Sequence, residues 1–295
     1  RFAIAVKQFV SATQNGFVPD SFICENIMLL QLLQAFALET DMEALFIFLD
    51  MEKAFDRCAW EYLTMALQNL GFPSPTDGSG QYHGFIRYVL LAYSHEYPPL
   101  RQLIVNGFLG PKFPIHSGVA QGCPISPLLF ICFTEALSRL IEQDTNIQGI
   151  TVDGHRHKIS QYADDATLIA TPPDIPYFNG HLQTVNGATA GRENETKREA
   201  LLLAKLARLP HTAPKGVVPG DKYPATGESV RCLGAPLANQ LNNLSWWMTR
   251  YRLVKNRAAH WAPLAGKGTT GRNMLLQSNY YGSYRFWLFF LILPP

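Results

Sequence analysis

The sequence lacks the features that mark secreted, zinc-binding or membrane-spanning proteins. Its 295 residues include only five cysteines, which are scattered and contain no C-x-x-C pair. A disulfide framework and a structural zinc site are therefore not expected, and a reducing compartment is. No signal peptide is evident at the first residues. The longest late apolar run, 286–293, falls far short of the roughly 20 residues that span a bilayer.

Charged residues are also few in this chain. Charged residues make up 16% of it and the formal net charge is +2, while the 47% hydrophobic content is that of a globular protein with one large domain or two linked subdomains. Residues 1–180 carry 10 Lys and Arg against 18 Asp and Glu, whereas residues 181–295 carry 15 against 5. An acidic body joined to a basic C-terminal third suits a polyanionic partner. A basic, solvated helical surface accounts for that third equally well.

Two adjacent carboxylates, Asp164 and Asp165, interrupt the stretch 159–170, whose other residues favour β-strand. Like charges at a hairpin tip repel, and Mg²⁺ removes that cost by taking one or two carboxylates together with substrate phosphates. An isolated pair of this kind is more often a surface turn. Asp50 makes a metal site the better interpretation, because it ends an apolar run, 44–49, that fits a strand buried on both faces. Three carboxylates from two strands are the ligand set of a two-metal phosphoryl-transfer site.

Three segments resemble the palm motifs of reverse transcriptases and follow the order of that family. They are Leu49-Asp-Met-Glu-Lys-Ala-Phe-Asp56, Gly118-Val-Ala-Gln-Gly-Cys-Pro-Ile-Ser-Pro-Leu-Leu-Phe130 and Tyr162-Ala-Asp-Asp165. Residues 14–27 are similar to a segment found upstream of the first palm motif in non-LTR (LINE-type) elements, although Asp20-Ser21 stand where that form usually has Gly-Arg. The resemblance covers about residues 10–262 and implies an RNA-directed DNA polymerase of a non-LTR retrotransposon.

The implied fold is α+β: a right-hand polymerase palm, built as an antiparallel sheet backed by helices, with partial fingers and a helical thumb. The expected divisions are partial fingers over 1–43, palm over 44–185 with a fingers-like insertion at about 72–117, the end of the palm and primer-grip region over 186–240, and a basic thumb-like region over 241–295. The chain is expected to start after the family's first fingers motif and to belong to a longer polyprotein with other modules.

The resemblance assigns two Mg²⁺ ions, replaceable by Mn²⁺, to Asp50, Asp164 and Asp165, with the backbone carbonyl of Met51 as a further ligand. One ion would lower the pKa of the primer 3′-hydroxyl and the other would hold the triphosphate. We expect Asp50 and Asp164 to be the indispensable pair. Asp165 is the less certain ligand, because adjacent side chains on a strand point to opposite faces.

The nucleotide itself is expected to meet Phe55, Gln121 and Gly122. Phe55 lies five residues after Asp50, where the family places an aromatic steric gate that excludes a ribose 2′-hydroxyl; a plain core aromatic is the alternative. Gln121 offers an amide for hydrogen bonding, and Gly122 lets the backbone approach a ligand.

Two further sites come from family positions nearer the C-terminus. Lys197, six residues after Gly191, occupies the place of a lysine close to the leaving pyrophosphate, where it could serve as general acid. Leu233-Gly234 matches the turn that grips the primer strand, and a turn without a ligand is the alternative.

The expected partners are an RNA template, a DNA primer and dNTPs, with no membrane, at an intracellular location in nucleus and cytoplasm.

Group II intron maturases and viral RNA-dependent polymerases share the palm, but an aromatic residue at position 55 argues against the RNA-making class. A domesticated remnant that binds nucleic acid without catalysis remains open. A two-metal nuclease is a more distant alternative, since it gives no reason for Gln121-Gly122.

Apolar spacing and breaker residues also predict the local structure. Helices are predicted at Cys24–Leu38, Lys53–Leu70, Phe85–Tyr93, Ser126–Gln143, Thr196–Arg208 and Ser245–His260, and strands at Leu100–Val105, Lys112–His116 and Val230–Leu237. Ser126 is expected to cap its helix, and residues 72–82 to form a loop. Basic and aromatic residues alternate in Ser245–His260, which suits either a nucleic-acid groove or buried tryptophans beneath a solvated basic face.

Overall fold

The computed structural model describes residues 6–72, 84–225, 227–239 and 244–261, together with 263 and 273. The helices are α1 (Ile23–Thr40), α2 (Trp60–Asn69), α3 (Gly84–Ala92), α4 (Ser126–Gln143), α5 (Ile175–Thr189), α6 (Ala204–Arg208) and α7 (Leu244–Trp261). The strands are β1 (Glu43–Leu49), β2 (Leu100–Val105), β3 (Phe108–Pro114), β4 (Ile150–Val152), β5 (His155–His157), β6 (Ile159–Tyr162), β7 (Asp165–Ala170), β8 (Glu199–Leu203), β9 (Ser229–Cys232) and β10 (Ala235–Ala238).

A four-stranded antiparallel sheet forms the centre, in the order β6-β7-β1-β8. Its central strand β1 is the apolar run before Asp50, and Ala44, Leu45 and Phe46 are fully buried. A strand covered on both faces cannot alternate apolar with polar residues, so the unbroken run is the sequence signature of this position. The two chain segments that carry the acidic motifs therefore lie side by side.

Alternate residues of β1 belong to two different apolar layers. Leu45, Ile47 and Leu49 pack into a cluster with residues of α4, α5 and α6. Ala44 and Phe46 pack instead with residues of α1 and of the β9–β10 hairpin. The sheet is thus sandwiched, and α4 also contributes to a third cluster with α2 and α3. This is the α+β arrangement of antiparallel sheet and covering helices that the resemblance implies.

Two predicted helices are wrong in part. The predicted helix Lys53–Leu70 is split into a 3₁₀ turn, Ala54–Arg57, and α2, because Cys58 and Ala59 are extended and the carbonyl of Cys58 accepts a hydrogen bond from the amide of Gly118. The predicted helix Thr196–Arg208 is a 3₁₀ turn followed by β8 and the short α6.

The second error has a physical reason. Residues 200–203 are an unbroken run of Ala and Leu with good helix propensity, but they are buried between the two apolar layers and pair with β1. Pairing and burial outweigh intrinsic propensity, which spans less than about 1 kcal/mol per residue for these types. The predicted single strand Val230–Leu237 likewise folds into two strands, β9 and β10, around Leu233-Gly234.

Other local predictions agree with the structure. The helices α1, α3, α4 and α7 lie within a few residues of the predicted bounds, and β2 and β3 pair across the Asn106-Gly107 turn. The predicted Ser126 cap is wrong: the N-cap is Ile125, and the Ser126 hydroxyl lies 3.2 Å from that of Tyr93. The predicted loop 72–82 lies outside the described residues apart from its first position. None of the described helices is both long and apolar enough to cross a membrane.

The segment 13–16 packs closely against the end of β6. The amide of Asn15 donates to the carbonyl of Gln161, and the amide of Gln161 donates to that of Thr13. A Cβ atom on Gly16 would lie 2.1 Å from the amide nitrogen of Ala163, so only glycine fits there without displacing the β6–β7 turn.

Replacing Gly16 by alanine is therefore expected to destabilise the fold by about 1–3 kcal/mol, the usual cost of overpacking. Urea unfolding measures this change. Gly187→Ala is the matched control: Gly187 is exposed in α5 with open space around it, and alanine there is expected to stabilise by about 0.5–1 kcal/mol. Equal stability of Gly16→Ala and the parent would contradict the tight contact.

Candidate active site

Strand register brings the acidic residues to one end of the sheet. Leu49 pairs with Ala166, so the next residue, Asp50, falls opposite Asp165. Tyr162 pairs with Asp165, which leaves Ala163 and Asp164 as the two residues of the β6–β7 turn. Ala163 adopts a positive φ of 58°, which reverses the chain within those two residues. The turn therefore presents Asp164 and Asp165 next to the end of β1.

A cavity of about 670 Å³ opens at this end of the sheet. Asp50 and Asp165 both line it, together with basic residues from the following segments: Lys197, Arg198, Lys222 and Arg231. Asp164 lies half-buried in the adjoining turn and is not among the lining residues. The structure thus joins Asp50 with Asp165 in one cavity, whereas the sequence favoured Asp50 with Asp164.

The carboxylates affect one another electrostatically. Partial removal from water, and then the negative charges of Asp164 and Asp50, raise the pKa of Asp165 to about 6, although part of its side chain reaches solvent. Among the described residues, no three carboxylate, imidazole or thiol groups already converge as a metal-binding group. The site is an open accumulation of acidic groups rather than a closed cage.

Lys197 lies directly at this accumulation. Its ammonium nitrogen is 3.2 Å from a carboxylate oxygen of Asp50. The contact follows from backbone pairing: the amide of Glu52 donates to the carbonyl of Arg192, and the amide of Asn194 donates to that of Asp50. These two bonds fix the start of the segment that turns at Glu195–Lys197. Lys197 therefore lies beside the acids, and its predicted place close to the leaving pyrophosphate stays a prediction.

The same pairing orients the carbonyl of Met51. Asp50 and Glu52 direct their bonded groups towards the 192–194 segment, and successive residues of a strand direct their backbone groups to opposite sides. The N–H and C=O of Met51 therefore point away from that segment, towards the side on which β7 lies. That is the orientation required of a further oxygen ligand beside Asp165.

Phe55 lies in the 3₁₀ turn after the Asp50 motif and is half-buried. Its ring stacks on Phe130 of α4, with centroids 4.7 Å apart, and meets the edge of Phe17 at 6.3 Å. The ring is thus supported from behind while part of it stays accessible, which is compatible with both a steric gate and a packing role.

The loop that carries Gln121 and Gly122 is attached to the Phe55 segment. The amide of Val119 donates to the carbonyl of Phe55 at 2.8 Å. Gly118 lies so close that a Cβ atom would be 2.7 Å from the carbonyl oxygen of Asp56. Gln121 and Gly122 are exposed, and Gly122 has a φ of 84° with open space around it. The loop that carries these two residues is thus attached to the Phe55 segment through Gly118 and Val119.

Residues 2–198 match the family of reverse transcriptases (RNA-dependent DNA polymerases). The chain belongs to this family. It is 27% identical to the Transposon TX1 uncharacterized 149 kDa protein of Xenopus laevis over an alignment of 207 residues. The alignment covers 70% of this chain and 15% of that protein. The chain thus spans about one-seventh of that relative's length.

Solved structures of telomerase share the fold of this reverse transcriptase domain. Telomerase from Candida albicans, in complex with a fragment of telomeric RNA, aligns with a TM-score of 0.51 and 11% identity over 98% of this chain and 50% of that chain. Telomerase from Candida tropicalis, likewise in complex with a fragment of telomeric RNA, aligns with a TM-score of 0.52 and 9% identity. That alignment covers 97% of this chain and 46% of the telomerase chain. The predicted α+β palm and the predicted membership of the non-LTR (LINE-type) reverse transcriptases are confirmed.

The residues of the cavity fit a divalent metal ion. Carboxylate and carbonyl oxygens are the donors that Mg²⁺ takes, and it seldom uses an all-protein cage, so two carboxylates beside open space suffice. The Asp50–Lys197 pair is exposed on both sides, and such pairs contribute only about 0–1 kcal/mol, so a divalent ion readily displaces the ammonium. Asp50, Asp165 and the Met51 carbonyl would hold the ion, with Asp164 adjoining.

Leu233 and Gly234 form the turn between β9 and β10, and both have positive φ, 49° and 84°. Two central residues with positive φ are what a tight hairpin turn requires. Arg231, two residues before the turn, lines the acidic cavity, and Val230 lines a neighbouring cavity of about 830 Å³ with Thr249 and Leu253 of α7. The hairpin therefore lies between the acidic cavity and α7.

Sequence reasoning missed several basic residues at this site. Lys222 lines both cavities, and Arg231 lines the acidic one. Arg198 also lines both, but its guanidinium makes two 2.6 Å bonds to the buried carboxylate of Glu193, which makes it part of the frame. The only available signal was the basic excess over 181–295, which gives a region but no positions. Side chains of the aromatic first turns of α7 lie outside what the structure describes.

The raised pKa of Asp165 predicts a pH-dependent effect of Asp165→Asn. Because folding raises this pKa, protonation of Asp165 favours the folded state. This contribution to stability is fully present below about pH 4 and is lost as the pH rises through about 6. In metal-free buffer the variant should unfold at a higher temperature than the parent at about pH 7.5, with little difference near pH 4.

Thermal unfolding at the two pH values measures this, with Asp153→Asn as the control. Asp153 is an exposed acid in the β4–β5 turn with a φ of 46°, which asparagine tolerates. The control is expected to show no gain at the higher pH. An equal gain by Asp165→Asn at both pH values would mean that shape, rather than charge, is responsible.

Proposed function

We propose that this reverse transcriptase domain extends a DNA primer on an RNA template with dNTPs, using two Mg²⁺ ions that Mn²⁺ can replace. One observation carries the proposal: Asp50 and Asp165 come from neighbouring strands into a single cavity, where partial removal from water and the negative charges of Asp164 and Asp50 raise the pKa of Asp165 to about 6. A site of this kind is complete only when cations and substrate phosphates enter it.

Bound Mg²⁺ supplies activation of the primer 3′-hydroxyl and stabilisation of charge on the phosphates. The chain's own residues do the rest. Asp50, Asp164, Asp165 and the carbonyl of Met51 hold the ions. Without bound ions the ammonium of Lys197 lies 3.2 Å from Asp50; once an ion displaces it, it serves as general acid towards the leaving pyrophosphate.

Other residues position the substrates. Phe55 excludes a 2′-hydroxyl, Gln121 and Gly122 contact the incoming nucleotide, and Leu233-Gly234 holds the primer strand. The support for these roles is their packing: the Gln121 loop is bonded to the Phe55 segment, and the β9–β10 hairpin lies beside the acidic cavity. Lys222 and Arg231 add positive charge where phosphates would pass.

We also propose that the domain works as part of a longer polyprotein in the nucleus and cytoplasm of the cell. The divisions into partial fingers, palm, primer-grip region and thumb stay predictions. Their support is the element order, in which α1 precedes the palm strands and the basic α7 follows the β9–β10 hairpin.

Primer extension on an RNA template with dNTPs and Mg²⁺ tests the activity. The parent is expected to extend the primer, and Asp164→Ala or Asp50→Ala to abolish extension, because loss of a metal ligand removes charge stabilisation from the transition state. Asp153→Asn, which changes an exposed turn outside the cavity, is expected to extend as the parent does.

Extension that survives the loss of Asp50 or Asp164 would contradict the metal assignment. No extension by the parent, combined with RNA binding that is independent of Mg²⁺, would favour a nucleic-acid-binding remnant without catalysis.

The steric gate is tested by Phe55→Val. Opening space under the sugar is expected to raise the use of NTPs relative to dNTPs at least about ten-fold, since discrimination by exclusion is lost with the ring. The ratio of kcat/KM for the two nucleotides measures this.

Phe130→Val is the matched control, because it removes the other ring of the same stacked pair from a fully buried position. It should lower stability and, because it leaves the ring of Phe55 in place, change sugar selectivity much less than Phe55→Val does. A change of the same size in both variants would mean that Phe55 acts through core packing alone.

A further inference from the structure

The amide of Gln14 is bonded to both backbone groups of Ala163, in the turn that presents the acids. Its carbonyl oxygen accepts the amide proton of Ala163 at 2.9 Å and that of Gly16 at 2.8 Å. Its NH₂ group donates to the carbonyl of Ala163 at 3.4 Å. The orientation of the amide follows from these partners, since two N–H donors require an oxygen between them. Gln14 is only 2% exposed, so water does not compete for these bonds.

The turn depends on such external support. Ala163 has a positive φ, which is unfavourable for a residue with a Cβ atom. Neither of its backbone groups is bonded within the β6–β7 ladder, where the last pair is Tyr162 with Asp165. Without Gln14, the buried amide and carbonyl of Ala163 would be left without hydrogen-bond partners, which is unfavourable for buried polar groups. Both effects would drive the turn towards another conformation.

The segment 11–16 that carries Gln14 is anchored at several points. Upstream, the backbone amide and hydroxyl of Ser11 both donate to the carboxylate of Glu135, on the buried face of α4. Beside the turn, Asn26 of α1 donates to the hydroxyl of Ser160 and to the carbonyl of Gln161, and accepts from Asn15. Gln14 is therefore held in place by two helices and β6, and not by the turn alone.

We propose that Gln14 is a positioning residue for the metal-binding turn: through Ala163 it fixes where Asp164 and Asp165 stand relative to Asp50. The proposal rests on the proposed function, since it concerns the same metal site. It also gives the upstream segment 14–27 a physical role, because Gln14, Gly16 and Asn26 all contact the strand and turn of the acidic motif. Support of this kind for metal ligands is typically worth 10–100-fold in metal affinity.

The test is Mn²⁺ binding to the whole chain, measured by electron paramagnetic resonance of the free ion, with amide hydrogen exchange at Ala163. Gln14→Met keeps the size of the side chain and removes its bonds. It is expected to weaken Mn²⁺ binding at least about ten-fold and to speed exchange at Ala163. In primer extension, kcat should fall by up to about 100-fold with KM for dNTP unchanged, the result of misplaced acids.

Gln34→Met is the matched control. Gln34 is equally buried, at 3% exposed, and its NH₂ group donates to a backbone carbonyl, that of Ala238 in β10. The control should lose comparable thermal stability while keeping parental Mn²⁺ affinity and parental exchange at Ala163. Should Gln14→Met fail to fold, Gln14→Asn keeps the amide but shortens its reach by one methylene, and the same changes are expected in smaller measure.

Parental Mn²⁺ affinity in the Gln14 variants, or an equal loss in Gln34→Met, would overturn the positioning role. Failure of the proposed function has a different signature: the parent would bind Mn²⁺ through Asp164, and Gln14→Met would weaken that binding, while no protein extended the primer. Mn²⁺ binding therefore tests the positioning role of Gln14, and primer extension tests the proposed function.

Discussion

The pairing of β1 with β7 brings like charges together, and much of the molecule serves to keep them there. Leu49 against Ala166 leaves Asp50 and Asp165 opposite each other at the same sheet end, with Asp164 in the turn beside them. The sheet cannot relax by slipping, because a one-residue shift would exchange the two apolar layers of β1. Repulsion at the end of the sheet is thus opposed by burial in its middle. The acids stay together because their strands cannot separate.

Helix α4 links the parts of the site that lie far apart in sequence. One of its faces packs on the sheet through Leu137 and Ile141, and its first turns support Phe55 through Phe130. Further along, Glu135 holds the segment that carries Gln14. Helix α4 therefore holds Phe55 and the Gln14 segment on a single rigid element. Such sharing limits how far substitutions in α4 can be tolerated, even where they touch no substrate.

The sequence predicted what depends on local pattern and spacing. The buried strand before Asp50, the hairpin that carries Asp164 and Asp165, and helices α1, α4 and α7 could all be recognised from apolar runs and turn residues. β8 could not, because its leucines favour helix when taken alone and become strand only by pairing with β1. The break after Phe55 depends on a hydrogen bond between Cys58 and Gly118, sixty residues apart.

The same distinction applies to the site. Asp50 and Asp165 share a cavity because of strand register, whereas the alternation of side chains along a single strand favoured Asp164. Lys222 enters from the connection between α6 and β9, and Arg231 from β9 itself, so their approach to the acids depends on tertiary packing and only their region was predictable. Gln14 shows the limit most clearly. A glutamine in a turn has no pattern that reveals which distant peptide it bonds.

The β2–β3 hairpin is asymmetric in a way that bears on how this domain meets other chains. Both strands are exposed along most of their length, with large apolar side chains such as Leu103, Ile104 and Phe108 in solvent. β3 contains two prolines, Pro111 and Pro114, which lack the N–H that an added strand would need, whereas β2 contains none. An added strand would therefore meet two positions without an N–H on β3 and none on β2.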